Sequence, residues 1–338
     1  MKALFYILIL VVIATAFWQF FKILGLTKKE QVTTEKENNI NGWLMLCLGV
    51  FIYGLMLTSM FRGGIVLLPK LSASLEGEHI DRLFIITMTL IFVVQFITQF
   101  LIYFFTFKYR GIKGRKATFY ADSHKLEMWW TVTPTVVLSA LIIYGLWTWN
   151  HVQDLSDAQN PLIIEVYAKQ FQWEARYAGE DNELGIGHVR YIKGINTMGV
   201  DMTDKNAADD VPVRELHLPK GRKVIFKFRA QDVMHSAYMP HFRAQINCVP
   251  GMTTTFGFTP TVTTVEMREN EDTKEKFDAI NELRKEEGKD PVEFDYILLC
   301  NKICGSSHYN MQMKVIVEEE ADFNNWVKQQ KTLAQVIK

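Results

Sequence analysis

The sequence predicts an α-helical membrane anchor followed by an all-β domain of the sandwich or barrel class. Three observations predict it. Four uncharged stretches of membrane-spanning length occupy the first 150 residues, short β-rich segments fill the remainder, and the charge changes sign between the two halves. Residues 1–150 carry 14 basic and 8 acidic side chains, a net +6, whereas residues 151–338 carry 23 and 29, a net −6. A near-neutral chain without a basic tract gives no case for nucleic-acid binding.

A helix needs about 20 apolar residues to cross the hydrocarbon core. Residues 3–21, 42–61, 83–107 and 128–150 meet that requirement. Trp18, Trp43, Trp129, Trp130, Trp147 and Trp149 stand near their ends, where interfacial aromatic belts form. The loops after the first and third stretches are rich in Lys and Arg, while the three basic residues after the second are matched by acids. Basic loops stay in the cytoplasm, so both termini and everything after His151 are expected outside. Ala14-Thr15-Ala16 resembles a signal-peptide cleavage site. The apolar run continues beyond it, and a retained helix is expected.

Beyond the anchor, Val224-Ile225-Phe226-Lys227-Phe228-Arg229 alternates apolar and polar, as a half-buried strand does. Residues 162–167, 253–258, 296–299 and 313–317 are short and rich in β-branched or aromatic side chains, which also reads as strand. Pro250-Gly251 and Leu218-Pro219-Lys220-Gly221 mark turns. Many short strands with turns imply a sandwich or barrel. The expected layout is two N-terminal transmembrane helices in 1–62, a helical hairpin in 83–150, an outer β domain in 151–320 and a helical tail in 321–338. Two insertions interrupt the β domain: a loop-rich one near 179–210, and a charged one near 266–290 with Phe277, Ile280 and Leu283 at helical spacing.

One run carries the chemistry: Cys300-Asn301-Lys302-Ile303-Cys304-Gly305-Ser306-Ser307-His308-Tyr309-Asn310-Met311. Thiolate and thioether are soft ligands that suit copper(I), zinc or iron–sulfur, and imidazole suits copper and zinc. His235 lies upstream in Asp232-Val233-Met234-His235-Ser236, and His241 is a rival imidazole. A mononuclear blue-copper site needs one Cys, two His and an axial Met, which leaves one Cys over. Structural zinc accepts two Cys and two His, which leaves Met311 over. Two bridging thiolates with one His per metal suit a pair of copper ions. A disulfide and an amphipathic helix carrying positions 300, 304, 308 and 311 on one face are the simpler alternatives, although Gly305-Ser306-Ser307 are weak helix formers.

The pattern Cys300-xxx-Cys304-xxx-His308-xx-Met311, with Asp-x-x-His-Ser at 232–236, resembles the binuclear copper motif of cytochrome c oxidase subunit II. Val249-Pro250-Gly251-Met252, Ala168-Lys169-Gln170-Phe171-Gln172-Trp173 and the stretch from Lys125 to Pro134 are similar to other parts of that family. The likeness spans roughly 83–177, 211–260 and 294–317. It implies a cupredoxin-like Greek-key barrel on a transmembrane hairpin, in the bacterial inner membrane with the barrel in the periplasm. It implies two copper ions, with His235 and His308 as terminal ligands, Cys300 and Cys304 as bridges, and Met311 and the Lys302 carbonyl as weak ligands. Phe171 and Trp173 would accept electrons from a cytochrome c, or from a cytochrome c domain of another complex. Haem would reside only in the partner subunit I, where oxygen is reduced, with subunit III as a further partner and lipid around the helices. Glu127 matches an acid at the mouth of a proton path into subunit I, in a proton-pumping enzyme. The chain departs from the family in having four membrane stretches instead of two. It also has Phe171 for a Trp, Asn247 for an acid, and Lys302 for the Glu that binds magnesium or manganese at the subunit I boundary. Quinol oxidase subunit II shares the fold but lacks the copper ligands. The copper domain of nitrous oxide reductase shares the motif but not the preceding helices. A membrane-anchored copper-binding or structural subunit without oxidase activity is the alternative of a different class.

Overall fold

The computed structural model describes residues 2–26, 33–61, 69–156 and 158–337. Four long helices come first: α1 (Lys2–Leu26), α2 (Glu35–Phe61), α3 (Leu75–Lys108) and α4 (His124–Gln153). Three helical spans among the described residues, Glu35–Ser59, Leu75–Lys108 and His124–Gln153, are long and apolar enough to cross a membrane. In α1, the side chains described form the shorter apolar segment Ile9–Ile23. Large apolar residues such as Phe100 and Ile143 point outward from these helices. In water that arrangement is unfavourable, whereas lipid accepts it.

The chain divides into two units, residues 1–64 with 91–123 and residues 65–90 with 124–338. In the first, α2 packs on the latter part of α3. Tyr53 stacks on Phe96 at 5.1 Å and donates to its carbonyl at 2.7 Å. Gly49 lies so close to the Tyr103 ring that a Cβ there would come within 2.6 Å of it.

The second unit contains the β domain. Its strands are β1 (Leu162–Lys169), β2 (Gln172–Tyr177), β3 (Val211–Val213), β4 (Leu216–Pro219), β5 (Val224–Ala230), β6 (His235–Met239), β7 (Ala244–Cys248), β8 (Thr254–Phe258), β9 (Tyr296–Cys300) and β10 (Gln312–Glu318). They form two five-stranded sheets, ordered β3-β2-β1-β5-β8 and β4-β10-β9-β6-β7. Each sheet holds one parallel pair, β1 with β5 and β4 with β10, among antiparallel ones. This is a cupredoxin-like Greek-key sandwich. The alternation read in β5 is present: Val224, Phe226 and Phe228 are buried, while Ile225, Lys227 and Arg229 are less so. They join Ile164, Val166, Leu216, Phe258, Leu298 and Val315 in one core drawn from both sheets.

Inward alternation also places the site. Tyr296, Leu298 and Cys300 are the buried residues of β9, and His235, Ala237 and Met239 line the same face of β6. Residues 264–286 form two helices, α5 (Thr264–Glu269), whose N-terminus has a Thr263–Glu266 capping box, and α6 (Glu271–Glu286). Phe277 of α6 meets Phe294 at 5.7 Å. The loop-rich stretch after β2 is held by buried charge. Arg176 bonds Glu165 at 2.6 Å, the Gly185 carbonyl at 2.6 Å, and Asp210. Arg229 reaches Glu165 and the Met198 carbonyl. The chain ends in α7 (Glu320–Lys328) and α8 (Leu333–Val336), with Trp326 stacked on His217 at 3.9 Å.

Candidate metal centre

β9 ends at Cys300 and β10 begins at Gln312, so the ligand-rich run is the loop between two paired strands. It is not a continuous amphipathic helix: only His308–Asn310 forms a short 3-10 turn. Gly305 holds φ +145°, a region that favours glycine. Backbone bonds from Cys300 N to Met311 O and from Asn301 N to Ser236 O fix both ends of the loop.

The loop brings five side chains together. The Cys300 and Cys304 sulfurs are 3.9 Å apart, far beyond the roughly 2.05 Å of a disulfide, and both cysteines are free. His235 Nδ1 lies 3.7 Å from the Cys300 sulfur, and His308 Nδ1 lies 3.6 Å from the Cys304 sulfur. Met311 Sδ is 3.8 Å from Cys304, and the Lys302 carbonyl is 3.2 Å from Cys300. Each sulfur therefore has one imidazole nitrogen and one weak donor beside it. His235, Cys300 and Cys304 are all buried, with their donor atoms within 4.8 Å of one another. His241 lies elsewhere, edge-on to Phe294 and Tyr296. Burial, helped by Lys276 and Arg243, lowers its pKa to about 4.

Electrostatics favour a cation here. Burial and the neighbouring Cys300 push the Cys304 thiol up to about 11, so two thiolates side by side need positive charge between them. Asp232 sits behind His235 and accepts from its Nε2 at 2.8 Å. Burial pushes the Asp232 carboxyl up, but bonds from Gln170 N, His235 and Val233 N outweigh it and hold the group below its usual range. With Nε2–H given to Asp232, the Nδ1 lone pair faces Cys300.

Two aromatics border the loop. Phe171 is half-buried, and a Cβ on Gly305 would come within 2.8 Å of its ring carbons. Trp173 is buried, donates to the Met311 carbonyl at 3.4 Å, and meets the His235 ring edge-on at 6.2 Å. Glu127 is not part of this cluster: it lies in the first turn of α4, 3.6 Å from His124. Lys302 and Asn247 are exposed. The sequence reading missed Gln170, whose side chain donates to the Cys304 carbonyl at 2.5 Å; a lone glutamine carries no signal of that contact. It also missed two large side chains of the ligand loop, Ile303 and Tyr309, each more than four-fifths exposed. Apolar residues inside a polar ligand loop are the available signal.

A family profile described as the cytochrome c oxidase subunit II transmembrane domain matches residues 66–147. The alternative cytochrome c oxidase subunit 2 of Bradyrhizobium diazoefficiens is 34% identical over 230 residues, which cover 68% of this chain and 72% of that protein. The cytochrome c oxidase subunit 2 of Thermostichus vulcanus is 24% identical over 79% of this chain and 80% of its own length. Among solved structures, the periplasmic domain of cytochrome oxidase subunit II from Bradyrhizobium japonicum is 19% identical, covering 49% of this chain and 91% of that one, at a TM-score of 0.30. At that score the structural likeness adds nothing to the sequence comparisons.

Proposed function

The chain belongs to the cytochrome c oxidase subunit II family, and from that membership we propose that its β domain holds a binuclear copper centre that accepts electrons from a cytochrome c. As a family member it is a membrane protein with a role in an oxidase complex. The observation that carries the proposal is the paired arrangement of donors, two sulfurs 3.9 Å apart with an imidazole nitrogen 3.6–3.7 Å from each. A metal ion can contact two sulfurs so spaced at about 2.3 Å each. Soft donors with no carboxylate in the ligand set favour copper over hard cations.

In this reading Cys300 and Cys304 would hold the copper ions between them, with His235 and His308 as further ligands and Met311 and the Lys302 carbonyl as weak ones. Copper bound there supplies a one-electron carrier. The protein's part is to hold the donors still. Cys300 and His235 belong to paired strands, Met311 abuts β10, and Trp173, Gln170 and Asp232 brace the loop. A donor set fixed in this way changes little between oxidation states. Phe171 and the buried Trp173 serve electron entry, and the net charge of −6 over residues 151–338 favours a basic cytochrome c donor or donor domain. Haem in subunit I would be the next acceptor, with subunit III as a further partner and Glu127 serving proton uptake in a pumping enzyme. The β domain, residues 151–320, lies in the periplasm of a bacterial inner membrane. The helices of residues 1–62 and 83–150 anchor it, and 321–338 is its helical tail.

Copper content, near-infrared absorption and oxygen uptake of the purified complex test the reading. Two coppers per chain, a near-infrared band and oxygen uptake are expected. Copper and a band without oxygen uptake would instead indicate the non-oxidase copper subunit.

A further inference from the structure

A cavity of about 690 Å³ lies where α3 begins and α4 ends, lined also by the β4–β5 turn Lys220-Gly221-Arg222-Lys223, and the copper proposal does not use it. The sequence sets its level in the membrane. The charge-free run of α3 starts at Leu83, and that of α4 stops at Asn150. His79 of the lining precedes Leu83 by four residues, so it stands about 6 Å beyond the hydrocarbon. His151, also of the lining, directly follows Asn150. The polar layer on each side of a bilayer is about 5–8 Å deep, so both lie at headgroup level. Trp147 and Trp149, each more than half exposed, mark the same boundary.

The lining carries both signs of charge. Lys220, Arg222 and Lys223 are balanced by Glu76, Asp154 and Glu320. Part of this charge is consumed inside the protein: Lys223 binds Glu76 and Lys220 binds Glu266, each at 2.6 Å. Arg222 is less engaged. Its Nε donates to the Asn160 carbonyl at 3.0 Å, but its Nη1 is 4.0 Å from Glu320, beyond hydrogen-bond reach. Asp154 uses Oδ1 for both bonds from Ser156, at 2.9 and 2.6 Å, which leaves Oδ2. Those bonds hold its carboxyl below the ordinary range, helped by His151 and Lys223. His79 and His151 meet ring to ring with centres 5.0 Å apart, and each neutral imidazole brings one N–H donor.

We propose that this cavity binds the headgroup of a zwitterionic phospholipid, its phosphate on Arg222 with the imidazole N–H groups, and its ammonium on Asp154 and Glu320. A guanidinium offers a planar fork that matches phosphate oxygens. A bare anion would gain Arg222 but meet Asp154 and Glu320 as like charges, and a bare cation would meet the reverse. A headgroup with both charges a few atoms apart satisfies both. Ile85 and Leu146, exposed on the membrane side of the cavity, offer apolar surface to the acyl chains.

The test uses the full-length chain in a maltoside detergent, which carries no phosphate. Phosphatidylethanolamine or phosphatidylglycerol is added, and retained lipid is counted by native mass spectrometry. One phosphatidylethanolamine per chain is expected, with phosphatidylglycerol, which has the phosphate without the ammonium, retained several-fold less. Arg222→Gln should lower retention about tenfold, as loss of one charge-assisted hydrogen bond implies. Asp154→Asn should weaken phosphatidylethanolamine alone, and Lys289→Gln, beyond α6, should change neither lipid. Asp154 is exposed, so its replacement leaves folding intact and keeps the test valid by itself. Millimolar inorganic phosphate should not displace the lipid; displacement would mark a simple anion site. Wild-type retention in Arg222→Gln or Asp154→Asn, equal retention of the two lipids, or displacement by phosphate overturns the proposal.

Discussion

Replacing Asp232 with Asn tests whether the groups behind the ligands hold the copper site together. The carboxylate accepts three hydrogen bonds: Gln170 N at 2.7 Å on Oδ2, and Val233 N at 2.7 Å and His235 Nε2 at 2.8 Å on Oδ1. An amide keeps one acceptor oxygen and turns the other into a donor. The better orientation retains the two bonds at Oδ1 and sets an NH₂ against Gln170 N. Losing a charge-assisted bond of this kind costs about 1.5–3 kcal/mol. The loss falls on Gln170, whose side chain holds the Cys304 carbonyl. Removing a partner behind a metal ligand typically costs about 10–100-fold in affinity, or about 1.4–2.7 kcal/mol, so two independent routes agree. The expected result is copper affinity about 10–100-fold lower in Asp232→Asn, measured by chelator competition on the full chain with the near-infrared band as readout. Affinity within about twofold of wild type would refute the reasoning, because it would mean that His235 and Gln170 are placed without Asp232.

Three further outcomes follow from other parts of the molecule. Gly305→Ala forces a side chain into φ +145° and against the Phe171 ring, so thermal unfolding should report a loss of about 1–3 kcal/mol; an unchanged midpoint would show that the loop relaxes freely. His241, with its pKa lowered from 6.5 to about 4 by burial, binds protons more readily unfolded than folded between those values. Its contribution is therefore complete above pH 6.5 and lost as the pH falls toward 4, by on the order of 3 kcal/mol at most. Urea unfolding of His241→Phe across that range should be correspondingly flatter than wild type, and an equal slope would count against the assignment. Glu127→Ala should slow turnover and proton pumping in the reconstituted oxidase while leaving the copper band unchanged; unaltered pumping would make Glu127 a plain interfacial residue.

What was legible in the sequence follows how far each signal reaches along the chain. The alternation through Val224–Ala230 is local, and the strand is there. The ligand run is local as well, so its residue types were visible. The same spacing also fits a helix face, and only tertiary context decides between them. The β9–β10 pairing and the backbone bonds of Cys300 and Asn301 hold the run as a loop. The choice between His235 and His241 was likewise open, since both follow β5 and lie close together in the chain. Register places the two imidazoles differently: β6 pairs Ala237 with Cys300, which leaves His235 beside the thiols, while His241 follows the strand and lies against Phe294. The contacts that brace the site were not legible. Gln170 and Cys304 are 134 residues apart, and Asp232 and Gln170 are 62 apart. The ionic cluster of Arg176, Glu165, Asp210 and Arg229 is assembled from four separate segments in the same way. Nothing in a single sequence marks such pairs, because each partner is an ordinary polar residue until the sheets bring it to the other.

Lys302 shows why residue type and residue position have to be argued separately. Its carbonyl lies 3.2 Å from the Cys300 sulfur, and a carbonyl is present whatever side chain the position bears. A weak-ligand role therefore survives the exchange of an acid for a lysine. The side chain is another matter. It is exposed, and an ammonium offers three donors and no acceptor, so it cannot join a site for a hard cation that requires oxygen ligands. Asn247, also exposed, still offers a neutral oxygen but no charge. An interfacial magnesium or manganese site of the kind the family resemblance implies would thus lose the anionic ligand expected from this loop. Against a facing subunit, an ammonium at this position would instead suit acidic or propionate groups. The two functions of one position separate because one belongs to the backbone, which the β9–β10 loop dictates, and the other to a side chain that this chain has replaced.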